Sequence, residues 1–274
     1  MINQGFCRAE SIYPDLIFPE NIVLSRSGSA GASIVTLKDL QPLHMDRYLV
    51  KTDCNECPAR EQCFVQRIKK VDEFFNQKKS HITYRKGETI IKEGTRVTEI
   101  LYVIDGLVKV YIEGPERNII IKLLTSHDFI GLTSLFGDDT FYFSASALKE
   151  TKVCSLERQS IKDLITECCE FSRELSSWYC ENYNIMLTKC LNLGLRQLHG
   201  KLANTLLYLN REKFSTADIF NYITRKDLAE LSGIAMESVV RILSEFNSEK
   251  IIELDGKRIE IRDIERLKVI SQKG

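Results

Sequence analysis

The chain carries no net charge: 38 lysine and arginine side chains balance 38 aspartate and glutamate side chains over 274 residues. A global polycation is therefore excluded, and any polyanionic partner must be met by a local patch. No apolar run approaches the ~18 residues that a membrane helix requires. Met1 to Asp15 lacks the basic start and apolar stretch of a secretory signal, so a cytoplasmic, reducing compartment is the expectation. The four histidines, His44, His81, His127 and His199, are scattered and accompany no nucleophile motif, which argues against an enzyme. What is present is an ordinary globular composition, 43% hydrophobic and 28% charged. It excludes disorder over most of the length and supports a core that needs no disulfides. Nine cysteines are many for a reducing compartment; they read as metal ligands, redox groups or core filler.

The pattern along the chain changes several times. Residues 25–33 are small and flexible, and residues 1–50 read as a flexible leader. A cysteine-rich segment follows over residues 51–78. From about Lys79 the pattern becomes short β-branched and aromatic runs, Thr89 to Ile91, Ile100 to Ile104, Leu107 to Ile112, Ile119 to Leu124 and Phe141 to Ala147, punctuated by glycines. Such punctuation predicts an all-β roll over residues 79–158. From Ser160 the period becomes helical. Phe171, Leu175, Trp178, Tyr179, Tyr183, Met186, Cys190 and Leu193 recur at steps of three and four, which predicts a helix over residues 159–194. Its sharper reading is a symmetric homodimer through Trp178, Tyr179, Tyr183, Met186, Cys190 and Leu193; the alternative is a helix lying on its own domain.

Residues 195–274 carry the most specific local pattern. Thr224-Arg225-Lys226-Asp227 is a capping box opening a short helix. A turn at Ser232-Gly233-Ile234 leads to a second helix from about Met236 to Asn247. On that helix Val239, Ile242, Leu243 and Phe246 share an apolar face, opposite Glu237, Val240, Arg241 and Ser244. An Asp255-Gly256 turn then joins two short strands, completing a winged helix-turn-helix. The fold class expected is α+β: β-roll, long dimerisation helix, winged helix-turn-helix.

A β-roll, a long helix and a C-terminal winged helix-turn-helix together resemble the CRP/FNR family of bacterial transcription regulators. Lys86-Gly87 through Glu93-Gly94, Tyr102-Val103-Ile104-Asp105-Gly106 and Asp128-Phe129-Ile130-Gly131 resemble the family's effector roll, and Glu237-Ser238-Val239-Val240-Arg241 resembles its recognition-helix signature. The resemblance implies a regulator that binds double-stranded DNA at a pseudo-palindromic site, dimerises and works with RNA polymerase. In the family's cyclic-AMP binders a Glu follows the Phe-Ile-Gly turn and an Arg-Ser pair lies downstream. Here those positions are Leu132 and Phe143-Ser144, so a cyclic nucleotide is not expected to bind.

Cys54-x2-Cys57-x5-Cys63 resembles the family's FNR branch, where three N-terminal thiolates and one distant thiolate hold a [4Fe-4S] cluster. Cys154 falls where that branch has its fourth ligand. The resemblance thus implies a cluster-based sensor of oxygen, nitric oxide or redox state, built from soft thiolate donors. Zinc on the same thiols, a disulfide switch and a regulator responding to haem or another ligand are the alternatives. Cys168, Cys169, Cys180 and Cys190 read as core or interface residues.

On the DNA side, Arg241 is the expected guanine reader, with Glu237 accepting from a cytosine amino group and Val240 able to meet a thymine methyl; Ser238 lies between them. The alternative for Glu237 and Arg241 is an i, i+4 ion pair on a solvated face. Residues 211–274 hold as many acidic as basic side chains, so phosphate contacts fall to a local set, Lys201, Arg225, Lys226, Lys257 and Arg258. Arg225 and Lys226 could equally be solvated surface.

Overall fold

The computed structural model describes Cys57, Ala59, Glu61, Cys63 and residues 79–273 apart from Lys257. The leader, Cys54 and most of the cysteine-rich segment lie outside the described residues. The roll is built from β1 (Lys79–Tyr84), β2 (Thr89–Ile91), β3 (Glu99–Asp105), β4 (Leu107–Ile112), β5 (Ile119–Thr125), β6 (Phe129–Ile130), β7 (Ser144–Ala147) and β8 (Thr151–Glu157). These form two antiparallel four-stranded sheets, ordered β1-β8-β3-β6 and β2-β7-β4-β5. The β-branched runs of the sequence become β2 to β5, while Phe141 to Ala147 contributes only its second half as β7. β1 and β8 pair along their whole length although their sequences, KSHITY and TKVCSLE, lack a clean alternation.

Glycine is required at the turn after β6. Gly131 has φ +91°, and a Cβ there would lie 2.9 Å from the Phe141 ring. Only a residue without Cβ holds that conformation and that contact together.

The helices are α1 (Arg158–Glu167), α2 (Cys169–Leu195), α3 (Leu198–Leu209), the single turn α4 (Glu212–Ser215), α5 (Arg225–Ser232), α6 (Met236–Ser248) and α7 (Ile264–Lys273). The long helix read over residues 159–194 is therefore interrupted at Cys168, which is extended at φ −125° and ψ 99°. Neither proline nor glycine causes the break. The Ser172 hydroxyl donates to the Ile165 and Cys168 carbonyls at 2.6 and 3.1 Å, supplying a donor where the backbone ladder lapses. Strands β9 (Ile252–Asp255) and β10 (Arg258–Ile261) form the wing. The α+β architecture expected from the sequence is the one observed. Among the described residues no helix is long and apolar enough to cross a membrane.

Two cores organise the molecule. The first fills the roll and takes in Ile161 and Leu164 of α1 and Phe171 and Leu175 of α2. The second joins the outer face of the roll, Leu107, Ile120, Leu123 and Leu148, to the helices and wing of the C-terminal domain. A buried ion cluster pins this junction. Lys109 on β4 places Nζ 2.7 Å from Asp227 Oδ1 and 3.6 Å from Glu230 Oε2, both on α5. Burial pushes the Asp227 carboxyl up, but bonds from Lys109 and Thr224 outweigh it and hold it below the usual range. The stability this gives is present above the ordinary aspartate range and is lost as the pH falls through the lowered value.

Replacing Lys109 by Met leaves Asp227 buried without its cation and Glu230 with only the exposed Lys226 at 3.8 Å. We expect a loss of about 3 kcal/mol in unfolding free energy, read by thermal or urea denaturation. An unchanged midpoint would show that the cluster does not hold the junction.

Candidate functional site

The DNA-reading element grows from the capping box. Thr224 Oγ1 accepts from the Asp227 amide at 3.1 Å and the Asp227 carboxylate accepts from the Thr224 amide at 3.0 Å, which starts α5. Gly233, left-handed at φ +71°, ends it. A Cβ at that position would collide with Leu193 of α2, so the turn of the helix-turn-helix is seated against the long helix. On α6, Val239, Ile242, Leu243 and Phe246 are buried, so Glu237, Val240 and Arg241 stand exposed on the opposite face, with Ser238 half-buried beside them. Ala235 occupies the N-cap without a side-chain bond.

Arg241 does not pair with Glu237. Its Nη1 lies 2.6 Å from Glu245 Oε1, one turn in the other direction, while Glu245 Oε2 lies 2.7 Å from His199 Nε2. Those two bonds hold the Glu245 carboxyl below its usual range. The i, i+4 pair thus exists with a different partner, leaving Glu237 available to a base. Of the phosphate candidates, Lys226 and Arg258 are exposed and Lys201 is half-buried. Arg225 is half-buried and donates to the Gly256 carbonyl at 3.4 Å, tying α5 to the wing. Lys257 lies outside the described residues.

In the roll, the positions that would recognise a cyclic nucleotide are occupied differently. Leu132 is buried in the first core. Phe143 stacks edge-on against Phe141 at 5.6 Å between centroids. Ser144 is buried, and its hydroxyl donates to Glu113 Oε1 at 2.6 Å while accepting from the Glu93 amide at 3.0 Å. Glu113 therefore sets an anion on the hydroxyl that would otherwise meet a phosphate, and Lys92, 2.5 Å from Glu113 Oε2, is already paired to it.

The described thiols lie at the other sheet. Cys154 sits on β8, in register with His81 on β1 and Tyr102 on β3. It is half-buried, as is Cys63, and both pack against the first core. Cys57 is also half-buried. Among the described residues no group of three or more His, Cys, Asp or Glu side chains is gathered to hold a metal ion. Cys168 is half-buried against the roll, whereas Cys169, Cys180 and Cys190 are exposed. His81 is a neighbour that sequence reading passed over, because β1 gave no strand signal of its own. It is 4% exposed, its Nδ1 has no hydrogen-bond partner, and burial with the Lys152 and Lys79 charges lowers its pKa to about 4. A neutral imidazole thus stands beside Cys154.

The long helix divides the residues expected at the dimer contact. Trp178 and Tyr179 are half-buried against their own roll, the Tyr179 hydroxyl donating to the Leu132 carbonyl at 2.7 Å. Leu193 meets Gly233 of the same chain. Tyr183, Met186 and Cys190 are exposed, in one stripe with Cys180, Leu187, Leu191 and Leu195. The exposed apolar stripe of α2 thus holds Tyr183, Met186 and Cys190 of the expected set, while Trp178, Tyr179 and Leu193 also meet their own chain.

A β-roll carrying α2 and a winged helix-turn-helix define a DNA-binding regulator in architecture. The cyclic nucleotide-binding domain model matches residues 81–168 and the Crp-like helix-turn-helix domain model matches residues 200–270. The chain belongs to the CRP/FNR family of transcription regulators, whose members bind DNA as dimers and are not enzymes. It is 25% identical over 192 residues to the CRP-like cAMP-activated global transcriptional regulator of Mycobacterium tuberculosis, covering 68% of this chain and 85% of that one. It is 23% identical over 228 residues to the transcriptional activator protein FnrL of Cereibacter sphaeroides, covering 78% and 90%. FixK2 from Bradyrhizobium japonicum shares the fold with a TM-score of 0.61 at 22% identity, covering 70% and 96%.

Arg241→Ala is expected to cost about 1–3 kcal/mol at the specific DNA site and little on unrelated DNA. Gel shifts at several salt concentrations, with specific and scrambled duplexes, read this directly; equal losses on both would remove Arg241 from base reading.

Proposed function

We propose that this regulator senses oxygen, nitric oxide or a related oxidant through a [4Fe-4S] cluster held by Cys54, Cys57, Cys63 and Cys154. The observation that carries the reading is that Cys63 and Cys154, distant in sequence, both pack half-buried against the roll's core. The donor set fits the group in chemistry, since soft thiolates are what iron-sulfur clusters take. The likeness to FnrL supports the same reading, because coverage of 78% of this chain extends upstream of the roll, into the cysteine-bearing segment. The likeness to cAMP-activated regulators argues for the roll's shape rather than its ligand, as Leu132, Phe143 and the Glu113–Ser144 bond replace the cyclic-nucleotide contacts.

When bound, the cluster supplies an oxidant-labile link among four thiolates. The chain's own residues do the rest. Cys54, Cys57 and Cys63 anchor the N-terminal segment, and Cys154 anchors it to β8, which is held on both sides by β1 and β3. β8 runs directly into α1, and α1 leads to α2 with its exposed apolar stripe. Fixing the segment on β8 thereby favours one arrangement of the helices that make the dimer, a linkage between thiol state and quaternary state. The dimer sets two α6 helices into successive major grooves, with RNA polymerase as the further partner.

Anaerobic purification with iron and sulfide analysis and a visible spectrum tests this. The wild-type chain should carry iron and sulfide, Cys154→Ala should lose most of both, and Cys168→Ala should keep them. Colourless wild-type protein with stoichiometric zinc, or a Cys154→Ala variant as iron-rich as wild type, would overturn the reading.

A further inference from the structure

A cavity of about 530 Å³ lies where α2, α3, α5 and β5 meet. We propose that it binds a hydroxylated organic anion with an apolar body, at a site separate from the thiols and from the DNA-reading face. The volume lies in the range of small-molecule sites. Its apolar wall is supplied by Ile121 of β5, Ile185 of α2, Leu207 of α3 and Leu231 of α5.

Two polar groups, one helical turn apart on α2, set the chemistry of the ligand. Lys189 donates through Nζ to the Leu231 carbonyl, and among the described residues no carboxylate pairs with it. An ammonium has three donors, so this one has donors to spare. Burial without a counter-charge pushes the Lys189 pKa down to about 8, so an anion in the cavity supplies the compensation the protein withholds. Glu181 also lines the cavity, but it stands two turns earlier on the helix, about 12 Å along the axis, and leaves the lysine end cationic. Arg211, 5.3 Å from the Tyr208 ring centroid, adds a second positive charge at the wall.

Asn192 is the second group. It is 2% exposed, it lines the cavity, and its Oδ1 has no hydrogen-bond partner although it is an acceptor. A buried acceptor without a donor costs free energy, which a ligand hydroxyl removes when a turn of the amide brings Oδ1 to the cavity wall. The preferred ligand is thus an acid that also carries a hydroxyl near its charged end. Because the walls come from the roll, the long helix and the C-terminal domain together, such a ligand binds only their docked arrangement and stabilises it.

Calorimetric titration of the full chain with 3-hydroxydecanoate, decanoate and decanol tests the site. We expect one 3-hydroxydecanoate per chain, weaker decanoate and no measurable decanol. Lys189→Met should weaken 3-hydroxydecanoate about tenfold or more, the loss of a charge-assisted bond. Asn192→Leu should abolish the preference for the hydroxylated acid, and Ile185→Trp, which fills the cavity from a half-exposed position, should abolish binding while DNA gel shifts persist. Absence of saturable binding, decanol binding as tightly as the acid, or a Lys189→Met or Ile185→Trp variant that binds like wild type would each overturn the proposal.

Discussion

The structure depends on the second core, in which the outer face of the roll and the C-terminal domain bury one continuous set of apolar side chains. Leu107, Ile120, Leu123 and Leu148 give the helix-turn-helix a platform, and the Lys109 ammonium fixes its register by holding Asp227 and Glu230. Asp227 has two duties. It closes the capping box that starts α5, and it accepts the lysine from β4. The start of the DNA-binding motif is thus part of the domain junction, and a displacement of one is a displacement of the other.

Much of this was legible in the residues, for local reasons. Glycine punctuation and β-branched runs announced the roll, and Thr224, Asp227 and Gly233 announced the helix-turn-helix because capping boxes and left-handed turns are written in a few adjacent side chains. What was not legible depends on contacts distant in sequence. β1 is a strand because β8 pairs with it, and β8 because β1 and β3 flank it, not because either alternates. The break at Cys168 follows from a hydroxyl in the next turn. The division of the expected dimer residues has a related cause. A helix touching three neighbours is apolar on several faces, and periodicity alone does not say that Trp178, Tyr179 and Leu193 face their own chain while Leu187 and Leu191 do not.

The candidate site shows the same division. Leu132 and Phe143 carry the expectation that no cyclic nucleotide binds, yet only the fold reveals Glu113 on the Ser144 hydroxyl. The thiol pattern was visible as spacing, while the neutral His81 beside Cys154 was not. The ion pair weighed as the alternative for Arg241 forms with Glu245 rather than Glu237, since both are equally spaced from it and His199 on α3 helps hold Glu245.

In the proposed mechanism the thiols govern the dimer, and the dimer governs DNA binding. The most direct measurement follows DNA affinity in one anaerobically prepared sample as air is admitted, with iron, sulfide and association state read on the same aliquots. The account predicts that affinity and dimer fraction fall in step with iron content. DNA affinity that stays constant while the iron is lost would contradict it.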